Sequence, residues 1–160
     1  MSTVDRVSRV PGQFVRIAAG IAISALTAVM LTLAFHPYNV WFLSFLALVP
    51  MLMAQYWILP EKWSGLAPAV GIGGWLFVFL TAMFGGNPAA QVIQIVVLVI
   101  IVVQVFTVPG VRRFHRQTGY RWFVLYGIVD WVGVEMIRSL IPPINTHAFI
   151  AQTMYTQPWM

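Results

Sequence analysis

Three charged side chains stand inside an otherwise apolar run near the C-terminal end: Asp130, Glu135 and Arg138. Glu135 and Arg138 are three positions apart, so on a helix they share a face and can pair, which offsets the cost of burying either. The pair is expected to act either as a structural ion pair that fixes helix orientation or as a contact for a lipid headgroup. Arg138 lies close enough to the end of its run to snorkel toward water. Asp130 sits about 12 Å deeper, at roughly 1.5 Å of rise per residue. It is expected to be a buried acid, protonated or bonded to Trp131, to glutamines of the preceding run or to a neighbouring chain. Asp130 and Glu135 point about 140° apart on a helix of 3.6 residues per turn. That is poor geometry for two carboxyls sharing one substrate, so no catalytic residue is assigned.

A second set of polar residues precedes this run. Arg112, Arg113, Arg116 and Arg121 lie within ten positions of one another. They mark topology and could also meet anionic lipid headgroups, at roughly 1 kcal/mol per basic residue. His115 stands among them and is expected to be solvated. His36 is expected to serve a turn or helix end, and His147 has no evident partner. The chain has no cysteine, which removes thiol nucleophiles, thiolate metal sites and disulfides together. No phosphate loop, metal cluster or Ser/His/Asp arrangement is present in the sequence, and no cofactor is implied.

The elements that must position these groups are membrane spans. Sixty per cent of the 160 residues are hydrophobic and 8% are charged, against about 25% charged in a soluble domain. Such a surface cannot face water. A hydrocarbon core takes about 20 helical residues, and five runs fit: 17–35, 41–59, 66–84, 89–108 and 122–141. The turns between them carry Pro37, Pro60, Gly85-Gly86-Asn87-Pro88 and Pro109-Gly110, the last expected to end the fourth span. The first run is longer than a signal-peptide core of about 7–15 residues and reads as a retained span. The fourth is rich in Val and Ile and would suggest a strand in water; its length decides for a membrane helix. The fold class is therefore all-α integral membrane protein. Residues 1–16 form a basic N-terminal segment, 17–141 a five-helix domain and 142–160 a tail.

Charge sets the orientation. With the N-terminus in the cytoplasm, segments 1–16, 60–65 and 110–121 face inward and hold three, one and four of the nine basic residues. The outer turns 36–40 and 85–88 hold none, as the positive-inside rule requires. The tail is then expected on the outer side of the membrane. The net charge of +5 is thus a topology signal and not a nucleic-acid footprint. Tyr38, Trp41, Trp57, Trp63, Tyr120 and Trp122 fall near span ends, where amphipathic rings anchor. Gly65, Ala69 and Gly73 repeat at four-residue spacing on span three, and Ala18 and Ala22 do so on span one. Small residues at this spacing let helix backbones approach closely. Span four lacks such a stripe and is expected to face lipid.

Two stretches carry a family resemblance. Leu33-Ala34-Phe35-His36-Pro37-Tyr38-Asn39-Val40-Trp41, followed by Phe45-Leu46-Ala47-Leu48-Val49-Pro50, resembles the opening hairpin of apolipoprotein N-acyltransferase. Trp131-Val132-Gly133-Val134-Glu135-Met136-Ile137-Arg138 is similar to a later span of that family, and the order and spacing of both support the match over about residues 17–155. The resemblance implies a membrane domain that, in the family, carries an outer nitrilase-like domain with a Glu-Lys-Cys triad. It implies that Glu135 and Arg138 lie at the outer membrane face beneath that domain, as positioning groups. The chain departs from the family at Pro142-Pro143-Ile144-Asn145, and it holds neither the outer domain nor a cysteine.

The expected function is a non-catalytic accessory or structural subunit of a larger membrane complex, photosynthetic or respiratory. Its partners would be other transmembrane subunits and phospholipids, and the 160 residues would form a finished membrane unit. The alternative is the membrane fragment of a lipoprotein N-acyltransferase working with a separate catalytic chain. A small lipid carrier, which would need an inner polar cavity, is a third class.

Overall fold

The computed structural model describes residues 9–35, 37–85 and 88–140, without the side chains of residues 9–11, 84, 88–90, 93 and 138. The expectations for His36, His147, the tail and the Arg138 side chain lie outside the described residues. Those residues form helices and no strand. They are α1 (Arg9–Ala34), α2 (Leu43–Ile58), α3 (Gly74–Phe84), α4 (Pro88–Gln117) and α5 (Phe123–Ser139). Single turns at Leu66–Pro68 and Ala69–Gly73 lead into α3. The stretches of α1, of α3 with its lead-in, and of α4 are each long and apolar enough to cross a membrane. The molecule is an all-α membrane protein.

Helix packing follows the small and hydroxylated residues, though on α1 not the expected ones. Ala18 and Ala22 are exposed; the buried face is Gly20, Ser24, Thr27, Leu31 and Ala34. The neighbours decide the difference. A Cβ on Gly20 would lie 2.5 Å from Leu59, and one on Gly71 would lie 3.2 Å from the Ser24 carbonyl. Both glycines therefore sit where another element comes closest to α1. The Ser24 hydroxyl donates back to the Gly20 carbonyl at 2.7 Å, so this hydroxyl is satisfied inside its own helix.

Proline makes α2 irregular. Pro50 cannot donate to the helix ladder, and the next residue, Met51, donates its N–H across to Thr27 Oγ1 on α1 at 3.0 Å. Met51 lies in the first turn of the segment Leu48–Met53, where backbone N–H groups have no partner in their own helix; in a membrane they must find one within the protein, and here a threonine of the adjacent span accepts. At its other end α2 loosens into a wide turn, Ala54–Ile58, and stops at extended Leu59. Pro60 imposes that conformation on the residue before it.

The Gly65, Ala69, Gly73 series lies along the lead-in to α3. A Cβ on Gly65 would fall 2.6 Å from the Val105 backbone, and one on Gly73 would fall 2.4 Å from Ile101. These two glycines admit α4, Gly71 admits α1, and Ala69 is buried. The interior between the elements is filled by Leu31, Ala34, Phe35, Ala47, Trp75, Leu76, Leu80 and Val97, with the Phe35 and Trp75 rings 5.0 Å apart. In lipid such a core gains by close packing and not by escape from water.

α4 corrects one sequence expectation. Pro109-Gly110 does not end it; the helix continues through Pro109 to Gln117. Proline leaves the carbonyl four residues back without its usual donor, and that carbonyl, Val105, lies against Gly65. The true stop is ten residues on. The Tyr120 N–H donates to the His115 carbonyl at 2.8 Å and the Gly119 N–H to the Arg116 carbonyl at 3.3 Å. Gly119 and Tyr120 both take positive φ, 59° and 61°. This is the glycine-terminated helix end that closes the last carbonyls. The outward side of α4 exposes Ile95, Val99, Val102 and Phe106, a face suited to lipid tails.

Candidate functional site

The described polar groups gather at two places, and the first is where α2, the lead-in to α3, α4 and the α4–α5 turn converge. The loosened end of α2 presents carbonyls with no partner in their own helix. Two arginines take them. Arg112 donates from one guanidinium nitrogen to the carbonyls of Gln55 and Leu59, both at 2.7 Å, and from the other to Tyr56 at 2.8 Å. Arg16 on α1 donates to the Ile58 carbonyl at 3.0 Å. A cation at a helix C-terminus also meets the negative end of the helix dipole. Because α4 runs on past Pro109, Arg112 emerges from a rigid helix and not from a loop, which holds its fork in register with three carbonyls at once.

Next to it, the Tyr56 hydroxyl and His115 Nδ1 are hydrogen-bonded at 2.6 Å. His115 was expected in solvent; it is 2% exposed. Its ring is surrounded by Tyr56, Phe114, Tyr120, Phe123 and Tyr126, with centroids 5.1–6.4 Å away. Placement on the α4 face that carries Arg112, three residues earlier, turns it inward against α2. Its Nε2 has no hydrogen-bond partner among the described residues. Phe123 and Tyr126 are also the points at which α5 meets the bundle.

The remaining cations are more open. Glu61, in the turn after α2, bridges Arg113 at 3.1 Å and Arg116 at 2.7 Å, with both arginines about two-thirds exposed. The Arg113 hydrogen bond, more than the attraction of Arg116, holds the Glu61 carboxyl below the usual carboxylate range. Arg121 is exposed beyond the turn. Of the four arginines considered for anionic headgroups, Arg112 is thus directed into the protein, Arg113 and Arg116 share one acid, and Arg121 faces outward.

The second place is α5. Asp130, expected as a buried acid, lies on an exposed part of this helix. No ion pair reaches it among the described residues. The Oε1 atom of Glu135 is buried without a hydrogen-bond partner among the described residues. The two acids are not brought together.

Sequence reasoning did not find Tyr56, His115 or Glu61 as a polar cluster. The signal was the Thr118-Gly119 stop, which extends α4 to Gln117 and puts Arg112, His115 and Arg116 on one helix surface at spacings of three and four. The described geometry joins elements; it contains no group of three or more His, Asp or Glu placed to hold a metal ion.

Comparison with known proteins gives one finding. A family model described as the apolipoprotein N-acyltransferase N-terminal domain matches residues 27–160, and so takes in α2 to α5 and the end of α1. No curated protein and no solved structure matches the chain.

Proposed function

The chain belongs to the family of the apolipoprotein N-acyltransferase N-terminal domain, and from that premise we propose that it is the membrane platform of a lipoprotein N-acyl transfer reaction whose catalytic groups reside on a separate chain. The family match carries the reading, since it runs through nearly every span. The sequence supports the division of labour: without a cysteine these residues supply no thiol nucleophile. The cluster at the α2 end supports it too, because its arginines and its histidine are engaged in holding helices together.

In this reading the N-terminus is cytoplasmic and the membrane is the bacterial inner membrane. The convergence of Arg16, Arg112, Arg113 and Arg116 at one end of the bundle supports that orientation, since basic groups are retained on the cytoplasmic side. Arg113, Arg116 and Arg121 then meet anionic headgroups of the inner leaflet. Glu135 and Arg138 sit toward the opposite face, where they position an outer catalytic domain.

The test is co-expression in cells depleted of their own N-acyltransferase. The chain is produced alone, then with a nitrilase-like domain bearing the Glu-Lys-Cys triad. N-acylation of an acceptor lipoprotein is read by mass spectrometry. Transfer by the pair, with none from either component alone, is the expected result. Transfer by the chain alone would overturn the reading, and so would a catalytic domain whose activity is indifferent to the chain.

A second reading, an accessory subunit of a larger membrane assembly, photosynthetic or respiratory, is favoured by one observation. α5 exposes a carboxyl-bearing surface along most of its length. Purification from native membranes separates the readings. A stoichiometric partner that lacks an acyltransferase domain supports the accessory role.

A further inference from the structure

Two arginines of α4 share one acid, and most of their hydrogen-bonding capacity is left unspent. Glu61 takes Arg113 through Nε at 3.1 Å on one oxygen and Arg116 through Nη1 at 2.7 Å on the other. A guanidinium presents its N–H donors in a planar fork. Both Nη groups of Arg113, and Nε and the second Nη of Arg116, meet no acceptor among the described residues. The arginine side chains are about two-thirds exposed, whereas that of Glu61 is 23% exposed. The carboxylate is therefore the sheltered member of the trio, and the free N–H groups are the open ones.

Charge and geometry describe what completes this trio. Two guanidinium cations against one carboxylate leave one positive charge in surplus. Arg113 and Arg116 are three positions apart on α4, so they share a helix face. An exposed arginine ordinarily keeps its rotamer freedom; here one carboxylate restrains two of them together. Planar forks take the paired oxygens of an oxyanion. A group with a single negative charge and two acceptor oxygens neutralises the surplus, and a dianion exceeds it. A phosphodiester is such a group.

Position selects the source of the phosphodiester. Trp57 and Trp63, before and after Glu61 in the chain, are exposed, and so is Phe114 between the two arginines. Tyr120 and Trp122, just beyond α4, are exposed as well. Tryptophan and tyrosine at span ends settle at headgroup level, which is the level of lipid phosphates. Lys62 lies over the Trp63 ring, 5.8 Å from its centre, and adds a cation there. A soluble phosphate has no use for these rings. A phospholipid lays its glycerol and upper acyl chains against them.

We propose that Arg113, Arg116 and Glu61 form a seat for one anionic phospholipid of the phosphatidylglycerol kind, with the two forks on its phosphodiester and Glu61 as the residue that positions them. The proposal rests on the reading that these arginines meet headgroups, and it is independent of acyl transfer. A diffuse basic surface and a seat differ in the part Glu61 plays. On a diffuse surface Glu61 is a repelling charge, and its removal strengthens the attraction for an anionic lipid. In a seat it holds the forks in register, and its removal weakens capture although the net charge becomes more positive. Phosphatidylethanolamine brings the same phosphodiester with an ammonium of its own, which the arginines and Lys62 repel. It is therefore the weaker ligand.

The test counts retained lipid by native mass spectrometry. The full chain is released from nanodiscs that hold equal amounts of phosphatidylglycerol and phosphatidylethanolamine. The expected result is one phosphatidylglycerol per chain, favoured about fivefold over phosphatidylethanolamine. Arg113→Lys together with Arg116→Lys, which keeps the charges and not the forks, lowers retention about fivefold. Glu61→Gln lowers both retention and lipid preference about threefold. Lys62→Gln, a charge lost outside the seat, lowers retention less than about twofold. Thermal unfolding of each variant follows the bundle separately, so lipid lost from an intact bundle counts as a lost seat. Equal retention of the two lipids by the unaltered chain overturns the headgroup reading and the seat together. Three results keep the headgroup reading and overturn the seat: a preference that rises in Glu61→Gln, one that survives the double lysine variant, or an equal loss with Lys62→Gln. Displacement of the lipid by added inorganic phosphate overturns the lipid as its ligand.

Discussion

The two polar regions differ in how far the chain's own elements engage their polar groups, although the first also holds one buried nitrogen, His115 Nε2, without a hydrogen-bond partner among the described residues. At the end of α2, Arg112 takes three carbonyls, Arg16 a fourth, Tyr56 bonds His115, and Glu61 holds Arg113 and Arg116. On α5, Asp130 is exposed and Glu135 keeps a buried oxygen without a partner among the described residues. The first region joins α1, α2, α4 and the turn into α5. The second lies on a helix that touches the bundle chiefly through Phe123 and Tyr126. Polar groups in a membrane protein are costly wherever they occur. The first cluster is absorbed into the fold of its own chain, and the second leaves a Glu135 oxygen unmatched among the described residues. The contrast separates polar groups that hold this bundle together from groups that its described residues leave open.

If that contrast holds, the largest loss comes from Arg112→Met. It leaves the carbonyls of Gln55, Tyr56 and Leu59 without their donor, and buried groups left unmatched cost about 1–3 kcal/mol each. A loss of roughly 3 kcal/mol is expected, read as a marked fall in the unfolding midpoint in detergent. Arg112→Lys, which keeps the charge and not the fork, recovers only part. An Arg112→Met bundle as stable as the native one would break the comparison at its strongest point.

Tyr56→Phe is the next step down. It removes one hydrogen bond to His115 and keeps the ring contacts with Tyr120 and Phe123. About 1 kcal/mol is expected, measurable by the same unfolding assay. A larger loss would show that the hydroxyl orders the aromatic cluster as a whole.

Glu61→Gln sharpens the contrast within the basic end. The bridge to Arg113 and Arg116 is open to solvent, so its contribution is small and screened by salt. Its pH dependence has a definite sign. The Glu61 carboxyl is held below its ordinary value, chiefly by the Arg113 hydrogen bond. The stabilisation is therefore present above the ordinary carboxylate pKa and is lost as pH falls through the lowered one. Unfolding midpoints of wild type and Glu61→Gln should converge on acidification and in high salt. A gap that persists in both would show a bridge better shielded than its exposure indicates.

The smallest effect on the chain by itself is expected for Glu135→Gln. On α5 it should leave the isolated bundle unchanged within error, while weakening assembly with a partner in native membranes, scored by co-purification yield. Destabilisation of the isolated chain to the extent seen with Tyr56→Phe would place Glu135 among the closed groups and erase the distinction.

How far the residues alone reach can be judged from particular cases. Gly65 and Gly73 were legible as a packing series because a four-residue repeat of small side chains is a local pattern. Ala18 and Ala22 showed the same pattern, yet the buried side of α1 runs through Gly20 and Ser24, since Leu59 and Gly71 come against that side. Pro109-Gly110 looked like a stop, and proline does end helices in water. Here a close-packed neighbour at Gly65 receives the region of the freed carbonyl, so the stop passes to Gly119, where positive φ is required. His115 looked solvated among arginines because its burial depends on the unexpected length of α4.

Composition, apolar run length and the distribution of Arg and Lys determined a helical membrane protein. The two hairpin and span motifs pointed to its family, because the physics behind each is local: a span must be apolar for about 20 residues and a motif is read in order. Tertiary structure alone decided which arginine is absorbed and which glycines are filled. It decided that Asp130 is exposed on α5. Those outcomes depend on which helix comes against which face, and helices in lipid choose their faces by fit between neighbours.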